Sequence, residues 1–93
     1  MNSTAEIVKR GKGKLETFDR DKLHASIVAA CLSARTPHGQ AVDIADLVCT
    51  AVIDWLNERP EVTSRDIRDI TTHHLNVHHP DAAYLYEQNK ITI

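Results

Sequence analysis

Apolar residues recur at helical spacing through most of the chain, and the longest stripe lies near its middle. The stripe follows a break at residues 36–39 and predicts a long amphipathic helix that Pro60 ends. Its apolar members are Ile44, Leu47, Val48, Ala51, Val52, Trp55 and Leu56. The acidic residues of the same segment fall largely off the stripe, and we expect them to form a solvated face. They are Asp43, Asp46, Asp54 and Glu58.

Three further helices are predicted, one before this helix and two after it. Asp19 is a suitable N-cap for a helix over about residues 20–34, which carries a single apolar stripe. Thr63 and the carboxylate three residues later predict the start of a third helix over 64–77. A bend at His78 and His79 should precede a short fourth helix that opens at Pro80. Its predicted inward residues are Ala82, Leu85 and Tyr86.

The N-terminal part has the pattern of a β-hairpin. Two short β-capable runs within residues 6–18 are separated by the glycine-containing segment 11–14. The predicted fold class is therefore α+β, with a small N-terminal hairpin packed on a four-helix bundle. We expect tails at residues 1–5 and 91–93 and one domain over 6–90.

Length and composition limit the function classes. The chain has 93 residues, of which 42% are hydrophobic, and such a chain forms one small domain with no room for a separate catalytic domain. We therefore expect a protein that is not an enzyme. It has no apolar run typical of a membrane span or a signal peptide, so we expect a cytoplasmic protein without membrane contact. Cys31 and Cys49 lie in alanine- and valine-rich runs, which favours buried thiols over a disulfide.

Charge is unevenly distributed along the chain. Residues 1–24 contain six basic and four acidic residues, whereas the rest contains five basic and nine acidic ones. A small acidic protein with one basic end is poorly suited to nucleic acid, which requires many phosphate contacts. The cations between Lys9 and Lys14 favour a compact anion instead, such as a polyphosphate.

Other site chemistry has less support. The segment around Gly13-Lys14 is not a P-loop, because Val8 stands where that loop needs glycine and Leu15 where it needs Ser or Thr. His74 and His78 have the one-turn spacing of a zinc pair but lack a dependable third ligand, so a metal site is kept as a minor alternative. We find no nucleophile motif, and carboxylate pairs such as Asp66 and Asp69 are more simply surface neighbours on a helix.

Three segments in this order resemble a known family. They are Ile7-Val8-Lys9-Arg10, the run Glu16-Thr17-Phe18-Asp19-Arg20-Asp21-Lys22-Leu23, and Val62-Thr63-Ser64-Arg65-Asp66-Ile67 at the start of the third helix. Together they resemble the ATP-cone, the nucleotide-sensing domain at the N-terminus of many ribonucleotide reductases and in the repressor of their genes. The resemblance spans about residues 6–88.

The resemblance implies a phosphate-binding group. Lys9 and Arg10 match the family's Lys-Arg pair, which would hold a triphosphate through a point charge and a bidentate fork. Lys22 matches the lysine that opens the first helix and would contact phosphate or ribose. Its place in the first turn would add backbone N–H groups for the anion. Arg68 stands where family members can reach phosphate.

The resemblance also implies a base-binding group. Glu16 would accept a hydrogen bond from the adenine amino group. The Val8 backbone, Phe18 and Leu23 would wall the base, while Asp19 would both cap the helix and touch the ligand. On the third helix, Ser64 and Ile67 match positions near the base.

The function implied is regulation by ATP or dATP, with Mg²⁺ accompanying the triphosphate. Binding would act through formation of a homo-oligomer or through contacts with a partner such as a ribonucleotide reductase or a regulator subunit. We expect a stand-alone domain of this kind. Two departures from the family pattern favour an alternative, an interaction module of the same fold without the ligand. The hairpin tip 11–15 is one residue longer, and Tyr84-Leu85-Tyr86-Glu87 lacks the family's arginine. A histidine-based metal-binding or DNA-binding regulator is the remaining alternative.

Overall fold

A computed structural model of the chain describes residues 8–9, 15–16, 18–59 and 61–89. The predicted tails at 1–5 and 91–93, together with Arg10 and the loop 11–14, lie outside the described residues. The described elements are strands β1 (Val8–Lys9) and β2 (Leu15–Glu16) and helices α1 (Arg20–Ser33), α2 (His38–Leu56), α3 (Ser64–His78) and α4 (Pro80–Asn89).

Local signals set both ends of α1. The Asp19 carboxylate accepts hydrogen bonds from the N–H groups of Asp21 and Lys22, at 3.0 and 3.2 Å, and so satisfies donors that a helix start leaves open. After the last turn, Arg35 adopts a left-handed φ of 68°. This lets the Thr36 N–H reach back to the Cys31 carbonyl at 3.0 Å, which is the closing bond of a Schellman motif.

The third helix also begins where the sequence predicts. Thr63 and Asp66 form a reciprocal capping box, in which the side chain of each accepts from the other's backbone N–H at 3.0 Å. The helix ends at His78, and His79 occupies the bend before Pro80. The Thr36 hydroxyl and Nε2 of His79 lie 2.7 Å apart, so this bend is hydrogen-bonded to the connection between α1 and α2.

The core lies between the four helices. Helix α1 packs against α2 and α4, and α3 packs against the same two helices. The largest fully buried side chains include Tyr86, Leu23, Ile27, Ile67 and Leu75. Cys31 and Cys49 are buried free thiols, as the sequence predicts. No helix among the described residues is long and apolar enough to cross a bilayer.

The buried face of α2 is rotated from the predicted stripe. Leu47, a predicted stripe member, is 55% exposed, whereas Cys49, which lies off the stripe, is fully buried. The helix also starts earlier than expected, because His38 and Gly39 belong to its first turn. Ala41 and Ala45 are fully buried in the early turns, and their small side chains allow the neighbouring helices to approach closely.

The expected α+β class is wrong for this chain. Strand pairing among the described residues is limited to Val8 opposite Glu16 and Lys9 opposite Leu15, and two paired residues a side do not make a layer of the fold. Phe18, predicted in the second strand, lies outside it and is buried in the core just before the Asp19 cap. The described architecture is a four-helix fold, since helices supply nearly all of its buried residues.

Candidate functional site

The predicted site residues fall on three parts of the chain. Phe18, Asp19, Lys22 and Leu23 lie at the start of α1. The others are on the first two turns of α3, namely Ser64, Ile67 and Arg68, and on the paired strands, namely Val8, Lys9 and Glu16. Arg10 lies outside the described residues.

The α1 and α3 groups share a hydrophobic cluster. Phe18, Leu23 and Ile67 are 6%, 0% and 1% exposed and belong to one hydrophobic cluster. The structure therefore brings the beginning of α1 and the second turn of α3 onto a common core. Burial of these side chains follows from the inward positions that the helical period assigns to Leu23 and Ile67.

The polar residues of the α1 group face solvent, and their geometry corrects one expectation. Asp19 and Lys22 are exposed. Because the Asp19 carboxylate already accepts from the N–H groups of Asp21 and Lys22, these two N–H groups are not open to an anion. A phosphate at this helix end would meet a carboxylate as well, so side-chain cations must supply the attraction.

A second cation of this helix end is directed to α2. The Arg20 guanidinium lies 3.6 Å from Oδ1 of Asp46, and Nε2 of His24 lies 2.8 Å from the same oxygen. This ion-pair group fixes the outer side of the α1–α2 contact. Sequence reasoning assigned Asp46 only to a solvated face, because spacing within α2 carries no information on residues of α1.

The α3 group begins at the capping box. Ser64 is the first helical residue and is partly buried, while Arg68, one turn later, is also partly buried. The positive charge of Arg68 acts on the hydroxyl of Tyr86, which α4 contributes. The charge of this candidate site residue therefore also reaches the interior of the helical fold.

Polar side chains of α1 and α3 lie near the buried hydroxyl of Tyr86, and we call this group the Tyr86 cluster. It consists of Ser26, Arg68, Thr71 and Tyr86. Burial raises the pKa of Tyr86, while its hydrogen bond with Ser26 and the charge of Arg68 oppose that rise. The hydroxyl is thus a neutral phenol near pH 7, able both to donate and to accept.

Sequence reasoning placed Tyr86 inward but missed its partners. Ser26 Oγ lies 3.3 Å from the Tyr86 hydroxyl and donates to the Leu23 carbonyl at 2.7 Å. A signal for this contact was present, because an inward tyrosine needs a partner for its hydroxyl and Ser26 follows the inward Leu23 by three residues. Spacing alone could not indicate which helix faces Tyr86.

The histidines form a separate group at the end of α3. The rings of His73 and His74 meet edge to face with centroids 5.2 Å apart. Burial lowers the pKa of His74, and the neighbouring His73 and His78 lower it further. Within the described ranges, no three His, Cys, Asp or Glu side chains are arranged to hold a metal ion. The geometry therefore gives no support to a metal site at His74 and His78.

Comparison with known families accounts for this arrangement. The model of the ATP cone domain matches residues 6–87. Comparisons with curated proteins and with solved structures gave no significant match. The family match includes both strands, all of α1 to α3 and most of α4, and ATP cone domains are regulatory nucleotide-binding domains rather than catalytic ones. On this coverage, the chain belongs to the ATP cone domain family.

Proposed function

We propose that this domain binds ATP or dATP together with Mg²⁺ and that occupancy changes its self-association or its contacts with a protein partner. The observation that carries the proposal is the family match over residues 6–87. It is supported by the shared hydrophobic cluster to which candidate residues of α1 and α3 belong. The domain has a regulatory and noncatalytic role in this proposal, and it acts in the cytoplasm.

The triphosphate is held by side-chain cations. Lys9 and Arg10 supply a point charge and a bidentate fork, and Lys22 adds a third cation from the exposed first turn of α1. Arg68 reaches the phosphates from α3. The cations carry this part of the site because the Asp19 carboxylate already occupies two N–H groups of the α1 start.

The adenine base lies over the apolar residues. Phe18, Leu23 and Ile67 form its apolar floor, and packing in the core holds these side chains in place. Val8 bounds the base through its backbone, Glu16 accepts from the adenine amino group, and Ser64 adds a hydroxyl. The register supports a shared role for Val8 and Glu16, since these residues pair directly across β1 and β2.

Magnesium enters with the nucleotide. Mg²⁺ keeps several waters and is commonly held by phosphate oxygens with few protein ligands. A triphosphate site built from cations is consistent with that mode, because the phosphates themselves supply the negative ligands of the ion. Asp19 caps the helix whose first turn carries Lys22, and it touches the ligand in this proposal.

Regulation requires that nucleotide bind two assembly states unequally. The described surface offers contact sites away from the nucleotide, since Tyr84 is 63% exposed and Leu32 is 44% exposed. Open grooves of about 330 and 380 Å³ lie on either side of Tyr84. A ribonucleotide reductase or a regulator of its expression is the partner class that family membership suggests.

A second candidate is an interaction module of the same fold that has lost the nucleotide. It is favoured by the longer hairpin tip at 11–15 and by Leu85-Tyr86-Glu87, which has no arginine where the family has one. The two candidates differ in one measurable property, which is adenine nucleotide binding by the unmodified protein.

Titration calorimetry tests the choice. The protein is titrated with ATP, dATP and GTP in the presence of Mg²⁺, and then Lys9→Ala and Glu16→Ala are compared. We expect adenine-selective binding, weakened about 10- to 100-fold by Lys9→Ala because a charge-assisted contact is lost. Glu16→Ala should reduce the preference for ATP over GTP.

Matched controls separate the site from general charge effects. Arg65→Ala removes an exposed cation of α3, and Glu61→Ala removes an exposed carboxylate before that helix. Both should leave ATP affinity within about twofold, the size of ordinary surface effects. Absence of binding by the unmodified protein would exclude the sensor and leave the interaction module.

A further inference from the structure

A buried polar contact joins α4 to α1. Tyr86 is fully buried, and its hydroxyl lies 3.3 Å from Oγ of Ser26. Ser26 in turn donates to the Leu23 carbonyl at 2.7 Å. Leu23 is a predicted wall of the base, and Lys22 precedes it. Two hydrogen-bonded steps therefore connect the Tyr86 hydroxyl to the turn of α1 that carries candidate site residues.

The same hydroxyl connects to α3. Helix α4 packs directly against α3, and the positive charge of Arg68 acts on the Tyr86 hydroxyl. Thr71, on the same helix, is fully buried. Since Ser64, Ile67 and Arg68 stand on this helix, the Tyr86 cluster touches both helical parts of the candidate site.

Helix α4 is placed to link these parts. It packs against both α1 and α3, and it contributes no residue to the predicted site. Its inward Tyr86 contacts the cluster while its outward Tyr84 is 63% exposed. If nucleotide binding moves α1 relative to α3, α4 should therefore move as well, and with it the exposed Tyr84.

We propose that Tyr86 is a positioning residue for the nucleotide, whose hydroxyl holds the Leu23 turn of α1 and Arg68 of α3 in the arrangement that grips an adenine triphosphate. This inference rests on the proposed function and adds the residue that couples its two helices. The coupling is reciprocal, so nucleotide binding also fixes α4 through the same hydroxyl.

The hydroxyl and the ring have separable roles. The ring fills the core, and Tyr86→Phe keeps that volume while removing only the hydroxyl. Tyr84→Phe is the matched control, because it makes the same chemical change two residues away on the exposed side of α4. Ser26→Ala removes the α1 half of the link and serves as the second test variant.

The experiment measures binding of ATP and of adenosine, with Mg²⁺, to the full chain and its variants by titration calorimetry. We expect Tyr86→Phe to weaken ATP binding about tenfold, because Arg68 is no longer held where it contacts the phosphates. Adenosine has no phosphates, so its binding should weaken less. Ser26→Ala should weaken ATP binding in the same direction. Tyr84→Phe should change neither affinity.

A double-mutant cycle with Arg68→Met tests the proposed connection. If Tyr86 acts through Arg68, Tyr86→Phe should cost less than about twofold once Arg68 is replaced. A loss that stays tenfold in the Arg68→Met background would overturn the link. A merely structural role predicts a lower melting temperature with unchanged affinity in Tyr86→Phe and Ser26→Ala.

The outcomes distinguish this inference from the function on which it rests. An unmodified protein that binds no adenine nucleotide refutes both. An unmodified protein that binds ATP, with Tyr86→Phe and Ser26→Ala binding equally well, refutes the positioning role and leaves the nucleotide sensor standing.

Discussion

Nε2 of His24 on α1 lies 2.8 Å from Oδ1 of Asp46 on α2, across the contact between these two helices. The Arg20 guanidinium approaches the same oxygen to 3.6 Å. One carboxylate of α2 therefore receives two side chains from consecutive turns of α1. Because Arg20 follows the Asp19 cap directly, this group fixes the helix start next to the candidate nucleotide site.

Loss of the Asp46 charge should destabilise the fold slightly. Its side chain is 55% exposed, so solvent screens the contact and we expect Asp46→Asn to lower the free energy of unfolding by about 0.5 to 1 kcal/mol. Urea denaturation at low and high salt measures this loss, and high salt should reduce the difference between the variant and the unmodified protein. Asp54→Asn, at an exposed position of the same helix, is the control. An equal effect of both variants would contradict a specific role for Asp46.

The Asp19 cap should contribute more to the stability of the fold than the Asp46 charge does. Its carboxylate satisfies two N–H groups of the first turn, so Asp19→Ala should lower the free energy of unfolding by about 1 kcal/mol, whereas Asp19→Ser should retain most of the stability. Urea denaturation of both variants provides the comparison. Equal losses in the alanine and serine variants would mean that charge, rather than capping, is what the position supplies.

Helix positions could be predicted from the sequence because their signals are local. The Asp19 cap and the Thr63 capping box place the starts of α1 and α3 at Arg20 and Ser64, as predicted. The buried face of α2 could not be read so directly. This helix packs against both α1 and α3, so burial spreads to Cys49 and leaves Leu47 at the edge. Periodicity gives a stripe, whereas its exact orientation depends on neighbours distant in sequence.

The fold class shows the same limit. Residues 6–18 have strand propensity, but propensity does not decide whether strands form a layer, because that depends on packing. Of the site, the caps and the buried Phe18, Leu23 and Ile67 could be predicted from local pattern. The contact of Ser26 with Tyr86 joins residues 60 positions apart, and no local pattern records such a contact.

Stability should depend on pH through His74. Burial, and then the charges of His73 and His78, lower its pKa below the ordinary 6.5. The unfolded chain therefore binds a proton more readily than the folded protein does. The free energy of unfolding should fall as pH drops through about 6.5, and this loss should stop below the pKa of the folded state.

The variant His74→Gln should weaken this pH dependence between about pH 7 and 5, measured as melting temperature in buffers of matched ionic strength. His38→Gln is the control, since His38 is exposed at the start of α2. An unchanged pH profile in His74→Gln would show that other groups control acid stability.

The Cys49 thiol should be protected from alkylation in the folded protein. It is fully buried, and burial raises its pKa to about 11, so only about one molecule in a thousand carries a thiolate at pH 8. Iodoacetamide followed by mass spectrometry should label it only when the protein opens, and rapidly in urea. Labelling in the folded protein at the rate of a small exposed thiol would contradict the packing of α2.

Nucleotide should slow this labelling further if the opening that exposes Cys49 also disrupts the proposed site. Cys49 packs in the core formed with Leu23 and Ile67, so exposing it separates the helices on which the candidate residues stand. A ligand bound only to the closed protein reduces opening by the factor one plus its concentration over Kd, which is about a hundredfold at a hundred times Kd. ATP with Mg²⁺ should therefore slow labelling while GTP at equal concentration has a smaller effect. If ATP binds by calorimetry but leaves the labelling rate unchanged, the opening at Cys49 is local to α2 and independent of the nucleotide site.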